Sequence, residues 1–166
     1  MSMADFTLKA ASTADIGLII SLQQKIWEPT YREILSSAQI NYMFDLLYSP
    51  ESLSRQMQDG QEFYLLLQNN EPIGFASVAW LAAHIYKLHK IYVLPSVQGT
   101  GAGKYLLEAV ETLVKDLGGN CLILNVNRFN KAKGFYERMG YQVIREEDIA
   151  IGPYWMNDFV LEKSFV

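Results

Sequence analysis

The stretch Lys90–Glu111, "KIYVLPSVQGTGAGKYLLEAVE", sets alternating glycines between an apolar, strand-like run and an amphipathic, helix-like run. Glycine costs roughly 0.5 to 1 kcal/mol relative to alanine in regular structure, so Gly99, Gly101 and Gly103 need a local use. The backbone N–H groups at a helix N-terminus attract anions, and glycine lets a phosphate come close to them. The stretch therefore predicts a phosphate-binding turn between a strand and a helix.

Two familiar phosphate-binding motifs do not fit this turn. A P-loop requires G-x-x-x-x-G-K-[ST], but Gln98 stands at the first glycine and Tyr105 at the hydroxyl position. A dinucleotide fingerprint starting at Gly99 requires a glycine where Lys104 stands, and it belongs after the first strand of a parallel unit. The pattern that does fit is Q-x-x-G-x-G, from Gln98 to Gly103.

Composition predicts one domain over residues 1–166, because the chain is 50% hydrophobic and 19% charged. The formal net charge of −4 and the scattered basic residues argue against nucleic acid or an anionic membrane as the main partner. The first ten residues lack the apolar core of a signal peptide, and no apolar run is long enough to span a bilayer. A single cysteine, Cys121, excludes an intrachain disulfide. These features predict a cytoplasmic protein.

Hydrophobic periodicity predicts the element order β-α-α-α-β-β-β-α-β-α-β-β. Thr13 is the expected N-cap of the first helix and Pro29 its expected end, while Ser36 and Ser49 precede the next two helices. Three strand-like runs follow, "EFYLLLQ", "PIGFASVAWLA" and "KLHKIYVL", and are predicted to be antiparallel neighbours. After the glycine turn come a helix, a strand, a helix and two last strands joined at Gly152-Pro153.

The ordered set of motifs resembles the GNAT superfamily of N-acetyltransferases over nearly the whole chain. It comprises "KIYVLPSVQG" with its glycine turn, then "LILNVN", "NKAKGFYERMGY" and "WMNDFVLEK". Within that superfamily the layout is most similar to the bacterial subgroup that includes PaiA-type polyamine acetyltransferases. The resemblance implies an α/β (α+β) GNAT fold: a mixed, mostly antiparallel sheet, splayed between its fourth and fifth strands, with helices on both faces.

The resemblance also implies an acetyl-coenzyme A site. The family's glycine turn cradles the pyrophosphate, and the splayed strand offers free backbone groups to the pantetheine arm as an added strand would. The implied cofactor-binding residues are Ile91, Tyr92, Val93, Gln98, Gly99, Thr100, Gly101, Ala102, Gly103, Lys104, Asn130 and Tyr136.

Tyr136 matches the family position whose hydroxyl lies near the thioester sulfur and protonates the departing thiolate. Its spacing from Ala132 and Met139 alone would favour an ordinary core residue. A phenol of ordinary pKa, about 10, is protonated at neutral pH and can act as a general acid. The only cysteine, Cys121, has no histidine nearby in sequence, so direct transfer without an acyl-enzyme is expected.

The general base has two alternatives, Glu28 or a water chain, because "LHKIYV" lacks the glutamate that many relatives carry in this strand. His84 and His89 are candidate metal ligands by residue type, but five residues apart on one extended strand they would face opposite ways. No metal is therefore expected.

The family resemblance places the acceptor opposite the cofactor, with walls drawn from Trp27, Glu28, Tyr31, Tyr154 and Trp155. Aromatic walls suit an alkyl or polyamine chain through apolar and cation–π contact. Two functions remain open: an acetyltransferase acting on a small-molecule primary amine, polyamines included, and a coenzyme-A-binding regulatory or structural protein without turnover. The carboxy-terminal strands also offer a pairing surface for a homodimer, with a monomer as the alternative.

Overall fold

The protein, described over residues 5–165 by a computed structural model, has the predicted order of elements. Its helices are α1 (Ile16–Tyr31), α2 (Ser37–Leu47), α3 (Pro50–Gln58), α4 (Ala102–Asp116) and α5 (Ala132–Arg138). Its strands are β1 (Phe6–Ala10), β2 (Glu62–Gln68), β3 (Glu71–Ala82), β4 (Ile85–Val93), β5 (Cys121–Asn127), β6 (Gln142–Ile151) and β7 (Tyr154–Ser164). The predicted domain, 1–166, also includes residues 1–4 and 166, which lie outside this description.

All seven strands form one sheet in the order β1-β2-β3-β4-β5-β7-β6. The pair β4 and β5 is parallel, and the other neighbours are antiparallel. The helix α4 connects β4 to β5 and so makes the crossover that a parallel pair requires. This mixed, mostly antiparallel sheet confirms the predicted fold class.

Helices cover both faces of the sheet, so the core has two layers. One face packs against α4 and α5 through fully buried residues such as Leu106, Leu107 and Val110. The other face packs against α1, α2 and α3 through Ile19, Ile26 and other buried apolar groups. The sheet therefore lies between two helical layers.

Two of the predicted helix ends are confirmed and two are wrong. Ser36 and Ser49 cap α2 and α3, each accepting a backbone N–H bond of 3.1 Å. Ser12, rather than Thr13, caps the first helical segment, because a short 3₁₀ turn precedes α1. Pro29 lies inside α1, which continues to Tyr31. Pro29 is close to the helix end, and the Arg32 N–H still donates to the Glu28 carbonyl, so the last turn is complete.

A buried polar network ties α4 to the carboxy-terminal strands. The Tyr141 hydroxyl donates to Glu111 Oε2 at 2.7 Å, and Lys163 Nζ lies 3.1 Å from Glu111 Oε1. Tyr141 and Glu111 are both buried. A buried carboxylate that loses one donor keeps its desolvation cost, so this network stabilises the fold only while it is complete.

Tyr141→Phe should lower the free energy of unfolding by about 1 to 3 kcal/mol, because Glu111 then keeps one partner fewer. Urea denaturation measures the change. Tyr105→Phe, on the exposed side of α4, is the matched control and should shift stability by less than about 0.5 kcal/mol. Equal midpoints for the Tyr141 variant and the unmodified protein would show that the network does not stabilise the fold.

Candidate active site

The strands β4 and β5 pair over only part of their length. Ile85–Leu88 pairs with Cys121–Leu124, and no pairing between the two strands continues beyond it within residues 5–165. Residues 90–93 remain bonded to β3, and 125–127 remain bonded to β7. The backbone of Ile91, Tyr92 and Val93 is therefore open on the side that faces β5, as the predicted splay requires.

The glycine turn joins the end of β4 to α4. Gly99 and Gly101 have φ angles of +81° and +91°, and Gly101 is the N-cap of α4. A Cβ atom built on either residue would meet no atom of the described chain within 4 Å. The Thr100 hydroxyl turns back to the carbonyl of Val97 at 2.5 Å. The turn thus exposes bare backbone and the free N–H groups of a helix start, which together can hold a phosphate.

Two other predicted cofactor residues lie close in sequence to these features: Asn130 follows β5, and Lys104 follows the glycine turn. Asn130 Oδ1 accepts the N–H of Ala132 at 2.9 Å and so helps to start α5. Lys104 is exposed in the first turn of α4 and lies 3.9 Å from Glu108. Asn130 therefore has a structural use as well, while the Lys104 ammonium is free to approach an anion.

Four phenols gather beside the splay: Tyr31 from α1, Tyr48 from the end of α2, Tyr92 from β4 and Tyr136 from α5. We call them the phenol cluster. The hydroxyls of Tyr31 and Tyr92 lie 3.1 Å apart. Burial raises the pKa of all four, and Tyr31 raises the pKa of Tyr136 further. Each phenol therefore stays protonated at neutral pH and can donate a hydrogen bond.

Tyr136 is 8% exposed and packs edge-on against Phe135 and Tyr141, with ring centroids 5.3 and 6.0 Å away. It is thus a core residue, as its helical spacing indicates. It also belongs to the phenol cluster beside the splay, so Tyr136 can serve both in packing and in chemistry.

Asp158 on β7 is a functional candidate that the sequence did not reveal. Its side chain is 5% exposed; Oδ2 accepts from Asn125 Nδ2 at 3.2 Å, and Oδ1 has no partner within the described chain. Burial raises its pKa, with a smaller contribution from Glu147. The one available signal was an acidic residue at an inward position of the apolar segment "WMNDFVLEK".

His84 and His89 do not share one extended strand, which corrects the sequence prediction. His84 lies in the turn before β4 with φ +62°, and His89 lies at a β-bulge opposite Ser77 and Val78. Burial, with Lys87 and Lys90, lowers the pKa of His89 to about 4. Residues 5–165 contain no group of three or more histidine, cysteine or acidic side chains placed to hold a metal ion.

Lys90, next to this bulge, is a buried cation. Its Nζ donates to Gln56 at 2.6 Å and Gln61 at 3.0 Å, and burial lowers its pKa to about 8. Lys90 lines a cavity of about 420 Å³ together with His89, Arg55, Tyr48 and other residues from α2 to β4. A buried basic side chain beside this cavity thus stands in the strand for which the family resemblance implies a glutamate.

Only some of the residues predicted to form the acceptor wall lie at the splay. Tyr31 belongs to the phenol cluster, and the Trp27 ring lies 4.6 Å from it, although Trp27 is buried and donates to the Ile40 carbonyl. The Tyr154 ring packs at a tilt against the Tyr42 ring, with centroids 5.4 Å apart. Trp155 is 57% exposed and contacts α2 through its backbone.

Glu28 lies on the surface between α1 and α2, paired with Arg32 at 2.6 Å. It borders a cavity of about 400 Å³ that we call the α1–α2 groove, lined by Gln24, Trp27, Glu28, Ile40, Asn41, Phe44 and Asp45. The groove combines apolar walls with two carboxylates, so it is suited to a cationic chain.

None of the helices in residues 5–165 is long and apolar enough to cross a lipid bilayer.

Comparison with known families identifies the domain. Residues 32–155 match the acetyltransferase (GNAT) domain, which is 124 of 166 residues. An uncharacterised N-acetyltransferase of Bacillus subtilis, YhfO, is 29% identical over 90% of this chain and 96% of its own length. The [ribosomal protein bS18]-alanine N-acetyltransferase of Haemophilus influenzae is 35% identical over 48% of this chain. That second match, like several others, spans about half of the relative's length.

Among solved structures, the PaiA N-acetyltransferase of Thermoplasma acidophilum in complex with coenzyme A is similar over 99% of both chains, with a TM-score of 0.80 and 27% identity. The similarity in fold therefore extends over nearly the whole of both chains. The similarity supports the family resemblance inferred from the motifs, whereas membership of the PaiA subgroup stays a prediction.

Proposed function

The chain belongs to the acetyltransferase (GNAT) domain family, and we propose that it is an N-acetyltransferase that moves an acetyl group from acetyl-coenzyme A to a primary amine. The observation that carries this proposal is the splay between β4 and β5, which ends beside the glycine turn at the start of α4. A relative with coenzyme A bound has the same fold. The reaction proposed is direct transfer in a ternary complex, in a reduced, cytoplasmic protein.

The residues present fit acetyl-coenzyme A. Open space beside Gly99 and Gly101 leaves room for a pyrophosphate against the first N–H groups of α4. The free edge of Ile91–Val93 offers hydrogen bonds to the amide groups of the pantetheine arm. When bound, acetyl-coenzyme A supplies a reactive thioester, and these contacts would direct it toward the phenol cluster.

Tyr136 is the proposed general acid. Burial raises its pKa, so the hydroxyl is protonated at neutral pH and can give its proton to a thiolate as it leaves. Cys121 is a poor candidate for a nucleophile. Burial, followed by the nearby Glu162, raises the pKa of its thiol. The raised pKa of the Cys121 thiol favours direct attack by the amine over an acyl-enzyme.

A small-molecule amine, including polyamines, is the proposed acceptor. The α1–α2 groove supports it through the exposed carboxylates of Glu28 and Asp45 beside apolar walls. A second ammonium group on a polyamine could interact with these carboxylates while the first one reacts.

The double variant Glu28→Gln/Asp45→Asn should raise the KM for spermidine by about three- to tenfold, since each exposed charge pair contributes weakly. The KM for n-hexylamine, which has a single ammonium group, should change less. Glu51→Gln/Asp59→Asn, two exposed acids on and just after α3, is the matched control. An unchanged spermidine KM would remove the groove from the acceptor site.

The proposed activity is tested by incubating the protein with acetyl-coenzyme A and a panel of amines, polyamines, amino acids and peptide N-termini while following free thiol. Amine-dependent thiol release is expected. Tight coenzyme A binding without release on any acceptor would instead favour a coenzyme-A-binding regulatory or structural protein. Sedimentation at working concentration distinguishes the proposed homodimer from a monomer.

A further inference from the structure

We propose that Asp158 is the acceptor-binding carboxylate and the general base, a catalytic residue that holds the substrate ammonium group and takes its proton at Oδ1. This inference rests on the proposed function. It replaces the two alternatives considered for the base, Glu28 and a water chain.

Among residues 5–165, one carboxylate oxygen of Asp158 accepts a hydrogen bond and the other does not. Asn125 Nδ2 holds Oδ2 at 3.2 Å, whereas Oδ1 lies buried without a partner among residues 5–165. A buried carboxylate oxygen without a donor is costly for a protein, so such an atom calls for a ligand. The complementary ligand is a donor of positive charge, and an alkylammonium group fits that description.

The position of Asp158 in the sheet is close to the proposed thioester site. Asp158 pairs with Asn127 in the part of β5 that has separated from β4. Burial, with a smaller contribution from the charge of Asp158, raises the pKa of Tyr31, whose hydroxyl contacts that of Tyr92. Asp158 therefore lies beside the separated part of β5 and acts on Tyr31, a member of the phenol cluster to which Tyr136 also belongs. Base and acid thus approach the splay from β7 and α5.

The other candidates for a base are less suitable. Glu28 is exposed and already paired with Arg32. Burial, followed by neighbouring lysines, lowers the pKa of His89 and Lys90, and neither side chain carries a negative charge that could hold an ammonium group. The charged and titratable groups that act on Asp158 or respond to it are Glu147 on β6, Lys87 on β4, Arg128 after β5 and Tyr31 on α1.

The proton balance of the step is complete with these two groups. Asp158 Oδ1 takes one proton from the ammonium group, and the freed nitrogen lone pair attacks the thioester carbonyl carbon. As the C–N bond forms, the C–S bond breaks, and the sulfur takes its electron pair and then the Tyr136 hydroxyl proton. The second nitrogen proton restores Tyr136, and Asp158 releases its proton to solvent. An ammonium ion and a thioester give an amide, a thiol and one proton.

Asp158→Asn tests the proposal, with spermidine, n-hexylamine and a tetrapeptide with a free N-terminus as acceptor probes. We expect kcat/KM for the acceptor to fall about 10²- to 10⁴-fold at pH 7, with coenzyme A binding unchanged. The pH profile gives the sharper readout. With n-hexylamine, kcat/KM of the unmodified protein should be flat from about pH 7 to pH 9, whereas that of the variant should gain about tenfold per pH unit, because the variant depends on amine already deprotonated in water.

Two further variants complete the experiment. Asp158→Glu keeps a carboxylate and should restore the flat profile at a reduced rate; a sloping profile in this variant would overturn the proposal. Glu147→Gln removes the neighbouring carboxylate on β6, directly opposite Asp158, and should keep both the rate and the flat profile.

The outcomes separate this inference from the proposed function. Turnover by the unmodified protein with equal kcat/KM for Asp158→Asn, or a deficit that does not vary with pH, overturns the role of Asp158 alone. No turnover on any of the three probes overturns the proposed function for these amines, and the base assignment with it.

Discussion

Gly101→Val should abolish measurable coenzyme A binding while leaving the fold intact. Gly101 is the N-cap of α4 with φ +91°, a conformation that a β-branched residue adopts only under strain. Within residues 5–165 no atom lies within 4 Å of a Cβ built on Gly101, so a valine side chain would not clash with the protein itself. It would instead occupy the space in which a phosphate approaches the start of α4. Isothermal titration with coenzyme A measures the loss, and circular dichroism checks the fold.

Gly118→Val is the matched control. Gly118 has φ +87°, lies just after α4, and likewise has no described atom within 4 Å of a built Cβ. Both variants therefore suffer similar backbone strain at opposite ends of one helix, and only Gly101→Val should lose coenzyme A. A folded Gly101→Val protein with unchanged affinity would remove the basis of the phosphate site.

Tyr136→Phe should lower kcat about 10²- to 10⁴-fold, the usual contribution of a positioned proton donor, with little change in the KM for acetyl-coenzyme A. The side chain stays buried and keeps its ring contacts with Phe135 and Tyr141, so binding should survive. Steady-state kinetics on an acceptor whose chemical step limits the rate separates the two parameters.

Tyr64→Phe is the control for loss of a hydroxyl, because Tyr64 on β2 contacts only the exposed Glu62 through its phenol in the described chain. It should retain the rate of the unmodified protein, and so should Cys121→Ala. If Tyr136→Phe kept that rate too, Tyr136 would be a packing residue and no more.

The architecture could be predicted because its determinants are local. Apolar period, glycine stops and capping serines locate nearly every element, and the glycine turn marks where a strand meets a helix. The two misplaced helix ends, at Thr13 and Pro29, reflect a 3₁₀ turn and a proline near a helix terminus. Neither feature has a strong signature in a single sequence.

The site was less predictable because it depends on which strands separate and which faces meet. Asp158 and Asn125 are distant in sequence, and the pairing of β5 with β7 brings them together, while Tyr31 comes from α1. Lys90 could be read from the sequence as a departure from the family pattern, but its burial among glutamines could not. The roles of the other predicted residues stay predictions until binding and kinetics are measured.

A single-turnover experiment tests the central claim most directly. Protein in excess is mixed with acetyl-coenzyme A labelled in the acetyl group and with a reactive amine from the acceptor panel, and protein and small molecules are then analysed by mass spectrometry. Direct transfer predicts one labelled amide and one free thiol per thioester consumed, with no label on the protein at any time. Label bound to Cys121 before the amide appears, or bound coenzyme A with no labelled amide from any acceptor, would contradict the account.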